Sequence, residues 1–156
     1  MTRATPRGWL IDTNVVSELR KGSRCAAPVW AWATRVPRIA CYLSRVSIAE
    51  IRFGIERAPD PDFRAELEAW LRDGLLPWFG ERILEVDERV LLRWRWLVWE
   101  GQKVNYTFAQ PDALLAATAR EHGLGVVTRN TDDFERAGVL LLNPWLQADQ
   151  STIASV

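Results

Sequence analysis

The sequence is a succession of very short apolar runs, each closed by polar residues and followed by a segment with helical spacing. Trp9-Leu10-Ile11 leads into Asp12-Thr13-Asn14 and a helix to Arg20, and a second helix spans Ala27 to Arg35. Ile39 to Leu43 reads as a strand, with a helix from Ser47 through Glu56. Phe63 to Leu76 has amphipathic helical spacing, Ile83 to Val86 is a short strand, and Asp87 caps a long helix. A loop over Lys103 to Gln110 precedes a helix from Pro111 to His122, with Pro in its favoured first turn. Gly125 to Thr128, a helix from Asp132 to Ala137, and Val139 to Leu142 complete the series. Strands this short alternating with helices predict an α/β domain with a short, mainly parallel central sheet. With no repeat or linker in 156 residues, one domain over 1–156 is expected, ordered from about Trp9 to Trp145 with loose ends.

Several function classes are excluded by what the chain lacks. No apolar run approaches the roughly 20 residues that cross a bilayer, and MTRATPRGW has no signal-peptide core, so a soluble, cytoplasmic protein is expected. Cys25 and Cys41 are too few for a disulfide framework, and with one histidine a structural zinc site lacks ligands. A paired-histidine ribonuclease is impossible for the same reason. His122 itself sits in the last turn before Gly123, where a cation suits the helix dipole. Twenty Lys+Arg balance twenty Asp+Glu, so nucleic acid would have to be held by a local patch rather than by bulk charge. Lys21 and Lys103 are the only lysines; the remaining cations are Arg, the better residue for bidentate phosphate contacts.

Parallel sheets bind ligands at the carboxyl ends of their strands, and acidic residues collect there. Asp12 follows the first strand, Glu50 lies in the first turn after the second, and Asn130, Asp132 and Asp133 follow the fourth. Asp112 is in the first turn of its helix, but a loop precedes it and spacing alone does not bring it to the same edge. Each has a local explanation. Ser47 to Glu50 is a capping box, Asn130 to Asp133 resembles one, Asp112 favours a helix dipole, and Asp12 or Thr13 caps the first helix. Gathered together, however, carboxylates repel one another unless a cation lies between them. Oxygen donors without His or Cys suit Mg²⁺ or Mn²⁺, ions that polarise phosphodiesters and make hydroxide available near neutral pH.

Nine tryptophans pose a separate question. On the helix after Asp87, Val90, Leu91, Trp94, Leu97 and Val98 share one face, while Leu92, Trp96 and Trp99 form a stripe on nearly the opposite one. Trp30 and Trp32 raise the same issue. Either both stripes are buried within the monomer, or one serves a homodimer or a partner's amphipathic helix.

Four segments in order then carry a resemblance. They are Leu10-Ile11-Asp12-Thr13-Asn14-Val15-Val16-Ser17-Glu18, Ser47-Ile48-Ala49-Glu50-Ile51-Arg52-Phe53-Gly54, Pro111-Asp112-Ala113-Leu114-Leu115-Ala116-Ala117-Thr118-Ala119, and Thr128-Arg129-Asn130-Thr131-Asp132-Asp133-Phe134. With Asn143-Pro144-Trp145 closing the pattern, the chain resembles PIN-domain ribonucleases of the VapC/FitB type, toxins of bacterial toxin–antitoxin pairs. The resemblance implies an α/β/α sandwich and a Mg²⁺-dependent endoribonuclease, with Mn²⁺ able to substitute, that cuts transfer or other structured RNA. Asp12 and Asp112 would be principal ligands, Glu50 would complete the set or hold a metal-bound water, and Asp133 would supply further charge. Asn130 stands where many relatives have Asp and would orient water or ligands; Thr13, Asn14, Ser47 and Thr128 would orient the carboxylates. Arg52 and Arg129 would hold flanking phosphates or pair with neighbouring acids. Attack by water would leave a 5′-phosphate and a 3′-hydroxyl. The implied partners are RNA, a second copy in a homodimer, and a VapB/FitA-like antitoxin whose C-terminal segment covers the pocket. Two alternatives remain. A haloacid-dehalogenase-type phosphohydrolase would want Asp where Asn14 stands, and a catalytically inert PIN-like binding module is the reading that Asn130 favours.

Overall fold

A computed structural model describes residues 5–146. In β1 (Trp9–Ile11), Leu10 and Ile11 are both buried, so the strand has no solvent face and belongs in the middle of a sheet. It does: the five strands run in the order β3-β2-β1-β4-β5, all parallel, with β2 at Cys41–Ser44, β3 at Ile83–Leu84, β4 at Gly125–Val127 and β5 at Leu141–Leu142. Trp9 pairs with Cys41 on one side and Gly125 on the other. Gly125 is required there, because a Cβ would stand 2.5 Å from the Trp9 ring.

Alternate residues of the central strands point to opposite faces, and each face meets its own helices. Ile11, Leu43 and Val127 enter a core formed with α1 (Thr13–Leu19), α2 (Ala27–Arg35) and α3 (Arg45–Arg57), together with Leu71, Leu75 and Phe79. Leu10 and Val126 enter a second core with α6 (Glu88–Lys103), α7 (Gln110–His122) and α8 (Asp132–Arg136). The result is the expected α/β/α sandwich. On the first of these faces, α4 (Pro61–Ala69) continues through a π-helical segment at Trp70–Leu75 into α5 (Leu76–Phe79), past the Leu76 end that the spacing predicts. The widened turn falls just before Pro77, whose ring and missing N–H oppose a regular α-turn.

Boundaries shift elsewhere for local reasons. Arg38–Ala40 forms a 3₁₀ turn, so β2 begins at Cys41 rather than Ile39. Ser44, not Ser47, caps α3, its Oγ accepting from the Val46 N–H at 3.0 Å. Thr131, with no side-chain cap, precedes α8, so Asn130 does not act as its cap. β3 ends at Leu84 and β5 begins at Leu141, each only two residues long. Asp87 caps α6 as expected, accepting from Val90 N–H, and Gly123 (φ 66°) ends α7 beside His122.

Arg7 donates its N–H to Gly123 and is therefore tied in ahead of the expected start at Trp9. The expected loose ends at 1–4 and 147–156 lie outside the described residues. Among the described residues no helix is long and apolar enough to cross a membrane. On α6, Val90 and Leu97 are buried while Leu92, Trp96 and Trp99 are 59%, 55% and 45% exposed, so the second stripe is not covered within the monomer. Leu91, expected on the inner face, is also exposed. Trp30 and Trp32 divide in the same way, the first half-exposed and the second buried.

Candidate active site

The strand order reverses direction between β1 and β4, and the crevice beyond their carboxyl ends is where a parallel sheet receives a ligand. Asp12 leaves β1 there and Thr128 leaves β4. Asp12 is only 8% exposed, and its oxygens are committed to the protein. Oδ1 accepts the Thr13 N–H at 2.7 Å; Oδ2 accepts the Thr128 hydroxyl at 2.7 Å and the Asn14 amide at 3.4 Å. Thr128 Oγ1 in turn accepts from Asn130 N–H at 3.0 Å and from Asn14 Nδ2 at 3.2 Å. Asn14 Oδ1 accepts the Arg129 N–H, stitching α1 to the loop after β4. Burial raises the Asp12 pKa, with the bonds from Thr128 and Thr13 opposing it.

Asp112 comes from the other side, on the first turn of α7, and Asn130 Nδ2 donates to its Oδ2 at 3.1 Å. Asp112 is pushed up to about 6, first by burial, then by the negative charges of Asp12 and Asp133, by a side-chain hydrogen bond with Asp133, and by the charge of Glu50. Glu50, in the second turn of α3, is exposed at the rim. Ser47, one turn earlier, is fully buried, and its hydroxyl has no partner. Asp12, Thr13, Asn14, Ser47, Glu50, Asp112 and Asn130 line one cleft of about 410 Å³. Thr128 holds Asp12 from beneath.

Asp133 departs from the expected arrangement. It does not line the cleft; Oδ1 accepts the Tyr106 hydroxyl and Oδ2 the Ala109 N–H, although its carboxyl also stands within hydrogen-bonding reach of the Asp112 carboxyl. Tyr106 was not anticipated from the sequence, because only the fold brings the loop before α7 to the start of α8. Arg129 stacks over Trp145, its guanidinium 5.1 Å from the ring, and Arg52 lines a separate cleft with Glu56, Glu68 and Arg72. An apolar cleft of about 380 Å³ lined by Trp30, Trp70, Trp78 and Phe79 carries no carboxylate, so the chemistry belongs to the acidic one.

Does the acidic cleft suit a cation? Among the described residues no three Asp, Glu, His or Cys side chains already form a ready-made metal cage. Mg²⁺ does not need one, since it keeps several waters and binds through one or two carboxylates plus substrate phosphate. Two features of the cleft match that habit: burial and neighbouring carboxylates that together hold Asp112 near 6, and the unpartnered buried hydroxyl of Ser47. Both are costly without a cation and its water, and relieved by them.

Fold and cleft together define the class as a PIN-type α/β/α domain, with its polar cleft at the carboxyl edge of a parallel sheet. The sequence matches the PIN domain over residues 9–140. It is 35% identical over 136 residues to the VapC ribonuclease Y4jK of Sinorhizobium fredii, covering 87% of this chain and 96% of that one. To the toxin FitB of Neisseria gonorrhoeae it is 34% identical, covering 87% and 97%. The crystal structure of FitAcB from Neisseria gonorrhoeae superposes with a TM-score of 0.84 at 33% identity, over 89% of this chain and 99% of that chain. The structure of FitAB bound to a DNA fragment gives 0.83 at 31%, over 91% and 99%. The chain belongs to the PIN-domain family, among the VapC and FitB toxins.

Proposed function

We propose that this protein is a Mg²⁺-dependent endoribonuclease, the toxin of a toxin–antitoxin pair, acting in the cytoplasm on transfer RNA or another structured RNA. The observation that carries the reading is the single cleft shared by Asp12, Glu50, Asp112 and Asn130 at the reversal point of the sheet. Its relatives include a protein named as a VapC ribonuclease, which supports the nuclease class.

Asp12 and Asp112 would hold the ion, and Glu50 at the rim would orient a water. A bound Mg²⁺ would supply charge neutralisation at the scissile phosphate and a more acidic water. Thr128 fixes the Asp12 carboxylate, and Asn14 braces both. Asn130 fixes Asp112 while adding no charge of its own. Ser47, with its free hydroxyl, is the side chain placed to bond an ordered water. The lack of a second histidine is no obstacle to this chemistry.

Partners follow from the same cleft. An antitoxin segment bringing a basic side chain to these carboxylates would exclude both cation and RNA, and relatives solved as FitAB assemblies support such a partner. A homodimer is supported by the uncovered Leu92, Trp96 and Trp99 stripe of α6.

Incubating the purified, antitoxin-free protein with bulk transfer RNA and Mg²⁺ or Mn²⁺ is expected to yield discrete fragments with 5′-phosphates, abolished by chelator. Mn²⁺ binding without cleavage of any RNA would instead favour a binding module. Thr128→Val gives a second check. It preserves shape but removes the hydroxyl that donates to Asp12 at 2.7 Å and accepts the Asn130 N–H. Mn²⁺ affinity is expected to fall about 10–100-fold, as when a supporting hydrogen bond behind a ligand is lost. Urea unfolding should show a cost of about 1–3 kcal/mol for the groups left unpaired.

A further inference from the structure

We propose that Asp133 is a positioning residue: together with Tyr106 it forms a latch that fixes the N-terminal turn of α7, and through it Asp112, at the mouth of the acidic cleft. The assignment rests on reading Asp112 as a metal ligand.

The start of α7 needs such a device. Its N-cap residue is Ala109, whose side chain offers no capping atom. In a capping box, a carboxylate three residues into the helix reaches back to the N–H of the cap residue. Here that place is taken by Asp112, which is turned to the cleft and bonded by Asn130. The Ala109 N–H is instead accepted at 3.0 Å by Asp133 Oδ2, from a different helix 24 positions away. Asp133 thus does for α7 in space what a capping-box glutamate does in sequence.

Its other oxygen ties down the approach to that helix. Tyr106 donates its hydroxyl to Asp133 Oδ1, and the Arg136 guanidinium lies 4.2 Å from the centre of the Tyr106 ring. Tyr106 also stacks edge-on against buried Phe108, and its N–H bonds the Gly101 carbonyl at 2.8 Å. Gly101 is needed for this seat, since a Cβ there would stand 2.8 Å from the Tyr106 carbonyl and 2.9 Å from the Phe108 ring. The loop is therefore clamped at Tyr106 and Ala109 by one carboxylate, and Asp112 follows three residues later. Asp133 differs from Asp12, whose oxygens are also bonded, in lying outside the lining of the acidic cleft.

Hydrogen exchange of the metal-free full chain, paired with Mn²⁺ titration followed by paramagnetic resonance, tests this in Asp133→Ala, Asp133→Asn and Tyr106→Phe. The carboxamide of Asp133→Asn can still accept the Ala109 N–H and donate to the Tyr106 oxygen. Exchange at Ala109 is expected to rise about tenfold in Asp133→Ala, less in Tyr106→Phe, and to stay within about threefold of the parent in Asp133→Asn. Mn²⁺ binding should weaken about tenfold in Asp133→Ala and within about threefold in Asp133→Asn. Tyr106→Phe, which loses one hydroxyl, carries the exchange test if Asp133→Ala does not fold. Unchanged exchange at Ala109 in both Asp133→Ala and Tyr106→Phe overturns the latch. So does an Asp133→Asn protein that loses Mn²⁺ as fully as Asp112→Asn, which would make Asp133 a ligand. If the parent chain binds no Mn²⁺ while the exchange pattern holds, the latch on α7 is upheld and the metal reading fails.

Discussion

Asp112→Asn is expected to lower RNA cleavage by at least about a hundredfold, beyond the 10–100-fold typical of losing a supporting residue behind a ligand, while making the metal-free protein more stable. The two effects share one cause. Burial and the nearby carboxylates hold Asp112 at about 6, so the folded chain without metal binds this proton more tightly than the unfolded chain does. A carboxyl with a raised pKa costs stability once ionised: the penalty is absent below the ordinary value of 3.8, grows through about 6, and is complete above it. Asp112 is half-buried, so solvent screening reduces the penalty to about 1 kcal/mol. Asparagine removes that penalty and still accepts from Asn130. The melting temperature of the metal-free variant should exceed that of the parent by about 2–4 °C at pH 8, with the gap closing toward pH 4. Mg²⁺ should then raise the parent's melting temperature and leave the variant's nearly unchanged. Equal stabilisation of both by Mg²⁺ would remove Asp112 from the ligand set.

Phe134→Ala carries the largest expected loss of stability, about 3–5 kcal/mol by urea unfolding, the usual cost of deleting a buried aromatic ring. Phe134 is fully buried in the core shared with Leu97, Phe108, Ala116, Val126 and Ala137. Its alanine neighbours have little side chain to move into the space, so the cavity stays open. A loss below about 1 kcal/mol would mean that α8 is not packed as described. Because Phe134 adjoins Asp133, the same change should also speed exchange at Ala109, linking the core to the turn that carries Asp112.

The sequence was most legible where function and local geometry coincide. Asp12 follows the central strand directly, and a parallel sheet leaves it little choice of place. Glu50 reached the cleft for a different reason from the one its capping-box pattern suggested. Ser44 ends β2 and caps α3, which frees Ser47 to turn its hydroxyl inward one turn before Glu50. Capping chemistry alone does not discriminate two serines three residues apart; the end of the strand does. Asp112 was visible as a motif but not as a neighbour, since a loop without strand character precedes it and only the packing of α7 brings it in. Asn130 and Asp133 were harder still. Both suit a polar site by composition, and their division, one bonded to Asp112 and the other to a loop residue 27 positions earlier, depends on a tertiary contact that spacing does not encode.

The sheet's edge strands, β3 and β5, are two residues each. A protein that must meet other chains is thereby nearly without backbone to lend them: an incoming strand would find at most one or two ladder bonds on either side. Association must instead be written in side chains on the helical layers, where surface residues can be exchanged one at a time without disturbing the sheet. Copies of this fold can thus diverge in whom they bind while keeping the acidic cleft intact, and the same short edges guard against indiscriminate strand-to-strand aggregation.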